Sequence, residues 1–159
     1  KPGSSGWKTS KRRIQKINRS ITNCRDQYLH TVSKTLVAKH SFIAAEKLSI
    51  QNMTQSAEGT IEEPGEKVKQ KAGLNRSILD AGWGKLLNYV AYKAESAGKP
   101  FEQVRPHNTS QRCSGCRKRV PKDLSVRTHE CPHCGLVLDR DTNAARNILY
   151  DGLKKRLAA

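Results

Sequence analysis

The chain has 159 residues, 30 of them Lys or Arg and 14 Asp or Glu, which leaves a formal net charge of +16. Apolar residues make up 35%, and no stretch approaches the ~20 apolar residues that cross a bilayer. With 11 Gly and 5 Cys, collagen-like repeats and disulfide-dense scaffolds are excluded as well. This length makes one domain of ordinary size, with room for a small satellite. So large a positive surplus repels itself in a compact chain, and polyanions offset it by counterion release. Nucleic acid is therefore the expected partner. An anionic membrane surface ranks behind it, because the basic stretches lack the Trp/Phe/Leu face of an interfacial helix. The chain opens Lys1-Pro2-Gly3 with neither Met nor an apolar signal region. Nothing there reads as a secretion signal, and the chain is expected to be a fragment of a longer protein.

In chain order, residues 1–6 are too rich in Gly and Pro to order themselves. From Lys8 to about Lys39, Ile14, Ile17, Ile21, Tyr28, Val32 and Leu36 recur at helical spacing, which predicts a helix with one apolar stripe. Residues 1–40 hold ten Lys or Arg and a single acid, Asp26, so the remaining faces are strongly basic. Ser41–Leu48 is short and largely apolar and predicts a buried strand arriving at Glu46. Residues 51–73 lose periodicity and read as a long loop or lid. Ser77 to about Ala97 returns to helix spacing, with Gly98 as its stop. Phe101–Val104 predicts a second strand, a basic cysteine-bearing segment follows over 105–135, and Asp139 to about Leu157 closes the chain as an amphipathic helix.

Four of the five cysteines form two pairs, Cys113-Ser-Gly-Cys116 and Cys131-Pro-His-Cys134, with fourteen residues between them. Two such knuckles let four thiolates converge on one Zn²⁺ at about 2.3 Å, and the gap is long enough for a hairpin. Gly115 and Gly135 ease the tight turns where backbone approaches a metal. Disulfides would need an oxidising compartment, and a thioredoxin-like pair would explain only one knuckle. The spacing thus predicts a structural zinc ribbon with no open coordination site. His107, His129 and His133 flank it as bystanders, and Cys24 is left as an ordinary packing or free thiol. Arg117, Lys118, Arg119, Lys122 and Arg127 outnumber Asp123 and Glu130 between the knuckles, the charge of a finger that contacts phosphates.

Glu46 ends an apolar strand, where a charge needs a partner or a metal; an ion pair with a nearby Lys is the simpler account. Asp139 and Asp141 stand at the mouth of the last helix, where an Asp is a preferred N-cap. Taken together on a polyanion-binding surface, a strand-end Glu and a helix-start Asp suit two Mg²⁺ about 3.5–4 Å apart, the arrangement that cleaves phosphodiesters in line.

Three runs carry a resemblance. Asp80-Ala-Gly-Trp83-Gly-Lys-Leu, Thr109-Ser-Gln-Arg-Cys113-Ser-Gly-Cys116 and Cys131-Pro-His-Cys134-Gly-Leu-Val-Leu-Asp139-Arg-Asp141-Thr-Asn143-Ala-Ala-Arg-Asn-Ile resemble the TnpB (OrfB) family. Its members are transposon-encoded proteins related to type V CRISPR effectors and also called transposases. The resemblance implies an α/β, RNase H-like (RuvC-like) nuclease domain with a four-Cys zinc ribbon inserted before the final helix. It divides the chain into a RuvC-like region over 1–105, the ribbon over 106–136 and a closing RuvC-like segment over 137–159. It also implies an endonuclease that cuts DNA selected by a guide RNA, and hence a cytoplasmic, nucleoid-associated protein in a prokaryote. By the resemblance Glu46 and Asp141 are the second and third catalytic carboxylates, binding Mg²⁺, while Cys113, Cys116, Cys131 and Cys134 hold Zn²⁺. Lys11, Arg12, Arg13, Lys16 and Arg19 of the basic helix, with Arg117, Lys118 and Arg119 of the ribbon, are the expected contacts to nucleic-acid backbone.

Two departures stand out. Arg117 follows Cys116 where the family commonly has Gly, which implies strain in that knuckle. The family's first catalytic Asp has no counterpart, since Asp26 alone is acidic before Glu46 and falls inside the predicted helix. The chain by itself is therefore expected to be an incompetent nuclease whose parent is competent. A catalytically inactive zinc-ribbon nucleic-acid-binding remnant is the alternative. A ribosomal or transcription-associated zinc ribbon comes last, because it leaves the Asp139–Ala145 motif unexplained.

Overall fold

The structure is a computed structural model that describes residues 1–123 and 125–158. It forms two compact units, one of Lys1–Lys39 with Ile50–Lys93, the other of His40–Ser49 with the chain from Ala94 onward.

The first unit is helical. Helix α1 runs Ser5–Lys39, starting ahead of the predicted Lys8 because the Ser4 hydroxyl accepts the Trp7 N–H at 3.2 Å, as a capping side chain does. Its covered face is Leu29, Ser33 and Val37, one position round from the predicted Tyr28–Val32–Leu36 row. Ile14, Ile17, Ile21 and Tyr28 of the predicted stripe are exposed, the first two at 59%. Ser33 is fully buried because its hydroxyl is satisfied twice, donating to the His30 carbonyl at 3.1 Å and accepting from Lys93 Nζ at 2.6 Å. A hydropathy pattern cannot register that exchange.

The stretch predicted as one helix from Ser77 is two, α3 (Val68–Ala81) and α4 (Trp83–Ser96); α2 (Ile50–Met53) precedes them. Gly82 makes the break with φ of 66°. A Cβ there would meet Leu29 Cδ1 at 2.9 Å, so both the backbone angle and the close approach require glycine. The predicted long loop is correspondingly shorter. Residues 58–65 close on themselves through Gly65 N to Glu58 O and Thr60 N to Glu63 O, both 2.9 Å. Asn75 Nδ2 and Lys71 Nζ tie α3 back to the carbonyls of Thr54 and Met53 at 2.9 and 2.6 Å.

The second unit is α/β. Strand β1 (Ile43–Glu46) pairs in parallel with β2 (Phe101–Val104), Ile43 opposite Phe101 and Glu46 opposite Val104. β1 is half-buried along its length, not buried as predicted. Among the described residues its sheet has two strands, so each keeps an unpaired edge. Gly98 ends α4 as predicted: with φ of 63°, its N–H reaches Glu95 O at 2.9 Å while Lys99 N reaches Ala94 O at 2.8 Å, a Schellman stop. Helix α5 (Arg140–Leu157) packs on the strand pair at Gly152, where a Cβ would stand 2.7 Å from Ala44 Cβ. Strands β3 (Thr128–Glu130) and β4 (Val137–Asp139) form an antiparallel hairpin. The hairpin spans the second knuckle rather than the gap between the two knuckles.

Asp139 caps α5. Its Oδ1 accepts the N–H groups of Asp141 and Thr142, each at 2.9 Å. The Thr142 N–H foremost, with that of Asp141, holds the carboxyl below its ordinary value. A depressed folded-state pKa gives stability that is present above the unfolded pKa of about 3.9 and lost as pH falls through the folded value. Asn caps as well as Asp but does not titrate. Asp139→Asn is therefore expected to melt with the wild type at pH 6 and to hold its capped helix better as pH falls below about 4. Parallel melting curves at both pH values would show that the cap does not depend on charge.

Candidate metal centre and nucleic-acid interface

Each knuckle is shaped by its own backbone. Cys113 N bonds Lys118 O at 2.9 Å and Arg117 N bonds Cys113 O at 3.0 Å; Cys131 N and Gly135 N close the second turn on Leu136 O and Cys131 O, both at 2.9 Å. The four sulfurs of Cys113, Cys116, Cys131 and Cys134 converge within 4.8 Å of one another. The Cys113–Cys134 separation is 3.7 Å and the Cys116–Cys131 separation 3.5 Å. A tetrahedral four-thiolate site with 2.3 Å bonds has edges of about 3.8 Å, whereas a disulfide needs about 2.05 Å. The donor set can thus hold a metal ion such as zinc. Burial pushes the Cys131 thiol up, but the His133 and Cys134 N–H groups and the Cys116 and Cys113 sulfurs outweigh it and bring it to about 6. At Cys134 the Leu136 N–H pulls down, while burial and the other three sulfurs raise it to about 11. His107 and His133 are exposed. His129 is fully buried with Nδ1 against Lys122 Nζ; burial first, then that ammonium, pushes its pKa down. Cys24 is a free, exposed thiol.

Arg117 is where the structure departs most from expectation. It does take the left-handed backbone of a glycine, φ 65°, and it holds that angle through its side chain. The guanidinium lies 3.8 Å over the Tyr150 ring, donates to Asn147 Oδ1 at 2.6 Å and reaches Asp151 Oδ1 at 3.3 Å. It is turned onto α5. Lys118 and Arg119 are exposed, Arg119 Nε donating to Gln111 Oε1 at 3.0 Å. Lys11, Arg12, Arg13, Lys16 and Arg19 are exposed along α1.

Glu46 sits half-buried at the carboxyl end of β1, and its Oε1 accepts the Thr109 hydroxyl at 2.6 Å. Its partner is thus a hydroxyl rather than the expected lysine. Asp141 is in the first turn of α5, its side chain 72% exposed and 3.3 Å from Arg140 Nε. β1 passes Gly152 at Ala44 and, two residues on, meets Thr109, whose carbonyl is bonded by Asn147. Glu46 is thereby linked through Thr109 to Asn147 of α5. Six residues, about 9 Å of helix, separate Asn147 from Asp141. Both carboxylates belong to this unit. At the carboxyl ends of both strands, Lys47, Arg105 and His107 line a groove with Asp151 and Lys155 from the later turns of α5.

Sequence reasoning gave no role to Asn143 and Asn147, which are fully buried. Asn143 accepts Ser114 N and donates to Arg112 O, both at 2.8 Å. Asn147 donates to Thr109 O at 2.8 Å and Arg112 O at 2.6 Å. Together they fix the first knuckle to α5. Two amides four apart among Ala144 and Ile148 was the signal available: polar groups at core spacing imply buried partners.

A family model described as Cas12f1-like, TNB domain, matches residues 83–148. The Escherichia coli (strain K12) protein named "Putative RNA-guided DNA endonuclease InsQ" is 41% identical over 150 residues, 94% of this chain and 37% of that protein. The CRISPR-associated endodeoxyribonuclease Cas12f1 of Sulfoacidibacillus thermotolerans is 28% identical over 146 residues, 91% of this chain and 31% of that protein. Among solved structures, one titled as the cryo-EM structure of the Cas12f1-sgRNA-target DNA complex aligns over 88% of this chain and 39% of its own. Its TM-score is 0.58 at 19% identity, a likeness of fold alone. The chain spans roughly a third of the length of the first of these curated relatives. Similarity that covers nine-tenths of the chain and includes the cysteine-bearing region places it in the TnpB family.

Proposed function

We propose that this chain supplies two metal-binding carboxylates, Glu46 and Asp141, and a structural zinc ribbon to an RNase H-like (RuvC-like) DNA endonuclease guided by RNA. The observation that supports it is the chain of contacts from Glu46 through Thr109 to Asn147 of α5, the helix whose first turn holds Asp141. Hard carboxylate oxygens suit Mg²⁺, and two such ions, when bound, supply activation of water and stabilisation of the leaving oxygen. Glu46 keeps one oxygen free of Thr109 for that purpose, and Asp141 projects from the helix start. A third acid comes from outside these residues, in keeping with a chain about a third as long as its relatives. In this reading residues 1–105 and 137–159 are parts of the nuclease and 106–136 its ribbon. The four thiolates close the zinc site, so zinc shapes and does not catalyse. The exposed cations of α1, with Lys118, Arg119 and the Lys47–Arg105–His107 groove, hold phosphates of guide and target without reading sequence.

The test is Glu46→Gln and Asp141→Asn in the complete protein that contains this chain, loaded with guide RNA. Each is expected to abolish Mg²⁺-dependent cutting while retaining one zinc per chain. Cutting retained in both variants would dismiss the assignment; a wild type that binds but never cuts would establish the inactive remnant instead.

A further inference from the structure

Glu46 is not held by the strand alone. A strand-end glutamate keeps three side-chain torsions, and ordering it for a metal has an entropic cost unless something else has fixed it. Thr109 does so. Its hydroxyl lies 2.6 Å from Glu46 Oε1, and the other acceptor in reach, the Pro106 carbonyl, is at 3.3 Å. With the residue 4% exposed, no solvent competes for that proton. The backbone of Thr109 is pinned in turn: its carbonyl accepts Asn147 Nδ2 at 2.8 Å. The same amide group binds Arg112 O at 2.6 Å, and Asn147 Oδ1 takes Arg117 Nη1 at 2.6 Å. Arg112 immediately precedes Cys113 and Arg117 immediately follows Cys116. A continuous hydrogen-bonded path therefore joins the first knuckle to the Glu46 carboxylate through two nearly or fully buried side chains.

We infer that Thr109 is a positioning residue: it aims Glu46 at its cation, and Asn147 with the closed first knuckle holds Thr109 in place to do so. The thiolate site then acts on the carboxylate site through Thr109 while touching no cation there itself. This rests on reading Glu46 as a metal-binding carboxylate. Partners that orient a metal ligand in this way change affinity by about 10–100-fold when lost.

The probe is Mn²⁺, titrated into the zinc-loaded complete protein and followed by the electron paramagnetic resonance of the free ion. Thr109→Val keeps the shape and removes the donor; its Mn²⁺ affinity is expected to fall about 10-fold or more. Thr109→Ser keeps the donor and is expected to bind within about threefold of wild type, well short of the loss expected when the donor is removed. Zinc content stays at one per chain in both. A merely structural threonine would instead lower zinc content and melting temperature and would not be rescued by serine, so Thr109→Ser as weak as Thr109→Val overturns the inference. Should valine prevent folding, Thr109→Ala removes the donor without crowding, and wild-type Mn²⁺ affinity in that variant likewise overturns it. Glu46→Gln separates the two levels. If it abolishes Mn²⁺ binding while Thr109→Val leaves binding unchanged, Thr109 has no positioning role and the carboxylate reading stands. If Glu46→Gln binds Mn²⁺ like the wild type, the carboxylate reading itself is lost and the inference with it.

Discussion

Cys113→Ser is expected to release the ribbon's metal and to unfold residues 113–136 as a unit. The buried cluster of that region is Cys113, Val120 and Cys131, with Cys116 and Leu136 packed against it. Three of these five side chains belong to the four-cysteine cluster, so a metal held there would stand at the centre of this apolar packing. Strands β3 and β4 have three residues each, too few to stand alone as a hairpin. Structural zinc contributes about 10–16 kcal/mol at neutral pH in isolated fingers, several times what so small a cluster could bury. The thiols also set how metal uptake responds to pH. Cys131, at about 6, is already largely thiolate at pH 7, whereas Cys134, at about 11, must shed a proton to the solvent when the metal binds. Affinity therefore rises with pH through the neutral range and falls as acid restores the protons. The checks are metal content per chain, expected to drop from one to none, and limited proteolysis, expected to open new cuts between the knuckles. A Cys113→Ser chain that keeps its metal and its protease resistance would show that three thiolates suffice. Chelation of the wild type is expected to reproduce the same cuts.

Local chemistry was legible in the sequence; burial was not. The knuckles are read correctly because two residues between cysteines fix their geometry without help from the rest of the chain. The Gly98 stop and the Asp139 cap follow from residue types with a preferred place at helix ends. The two four-residue strands emerged from short apolar runs. The α1 stripe failed because periodicity reports which side chains could be covered, and Ile14, Ile17 and Ile21 are left exposed. Gly82 went unnoticed as a break because its reason is Leu29, fifty-three positions away. α3 begins before its predicted start because its first turns, Val68 to Arg76, are mostly polar and exposed. Arg117 shows the same limit at the site: its charge does not reveal that Asn147, Tyr150 and Asp151 are its partners on α5. The carboxylates were singled out from their positions at a strand end and a helix start. Thr109, which touches one of them, came only from the structure.

Asn147→Ala is expected to destabilise the second unit by about 3–4 kcal/mol, more than most single substitutions do. It leaves Thr109 O without its donor in a buried position, worth about 1–3 kcal/mol, and opens a small cavity beneath α5. Arg117 loses its closest partner but keeps Asp151. Arg112 O is not orphaned, because Asn143 still donates to it at 2.8 Å. Asn143→Ala alone orphans Ser114 N and leaves the same carbonyl to Asn147. Only the double variant strips Arg112 O of both donors. Its destabilisation should therefore exceed the sum of the singles by about 1 kcal/mol or more, the coupling expected of groups that share a partner. Urea melts of the four proteins at one pH and saturating zinc measure this directly. Singles that add up to the double would mean the carbonyl beside Cys113 is not held by both amides, and that the first knuckle is fastened to α5 in some other way.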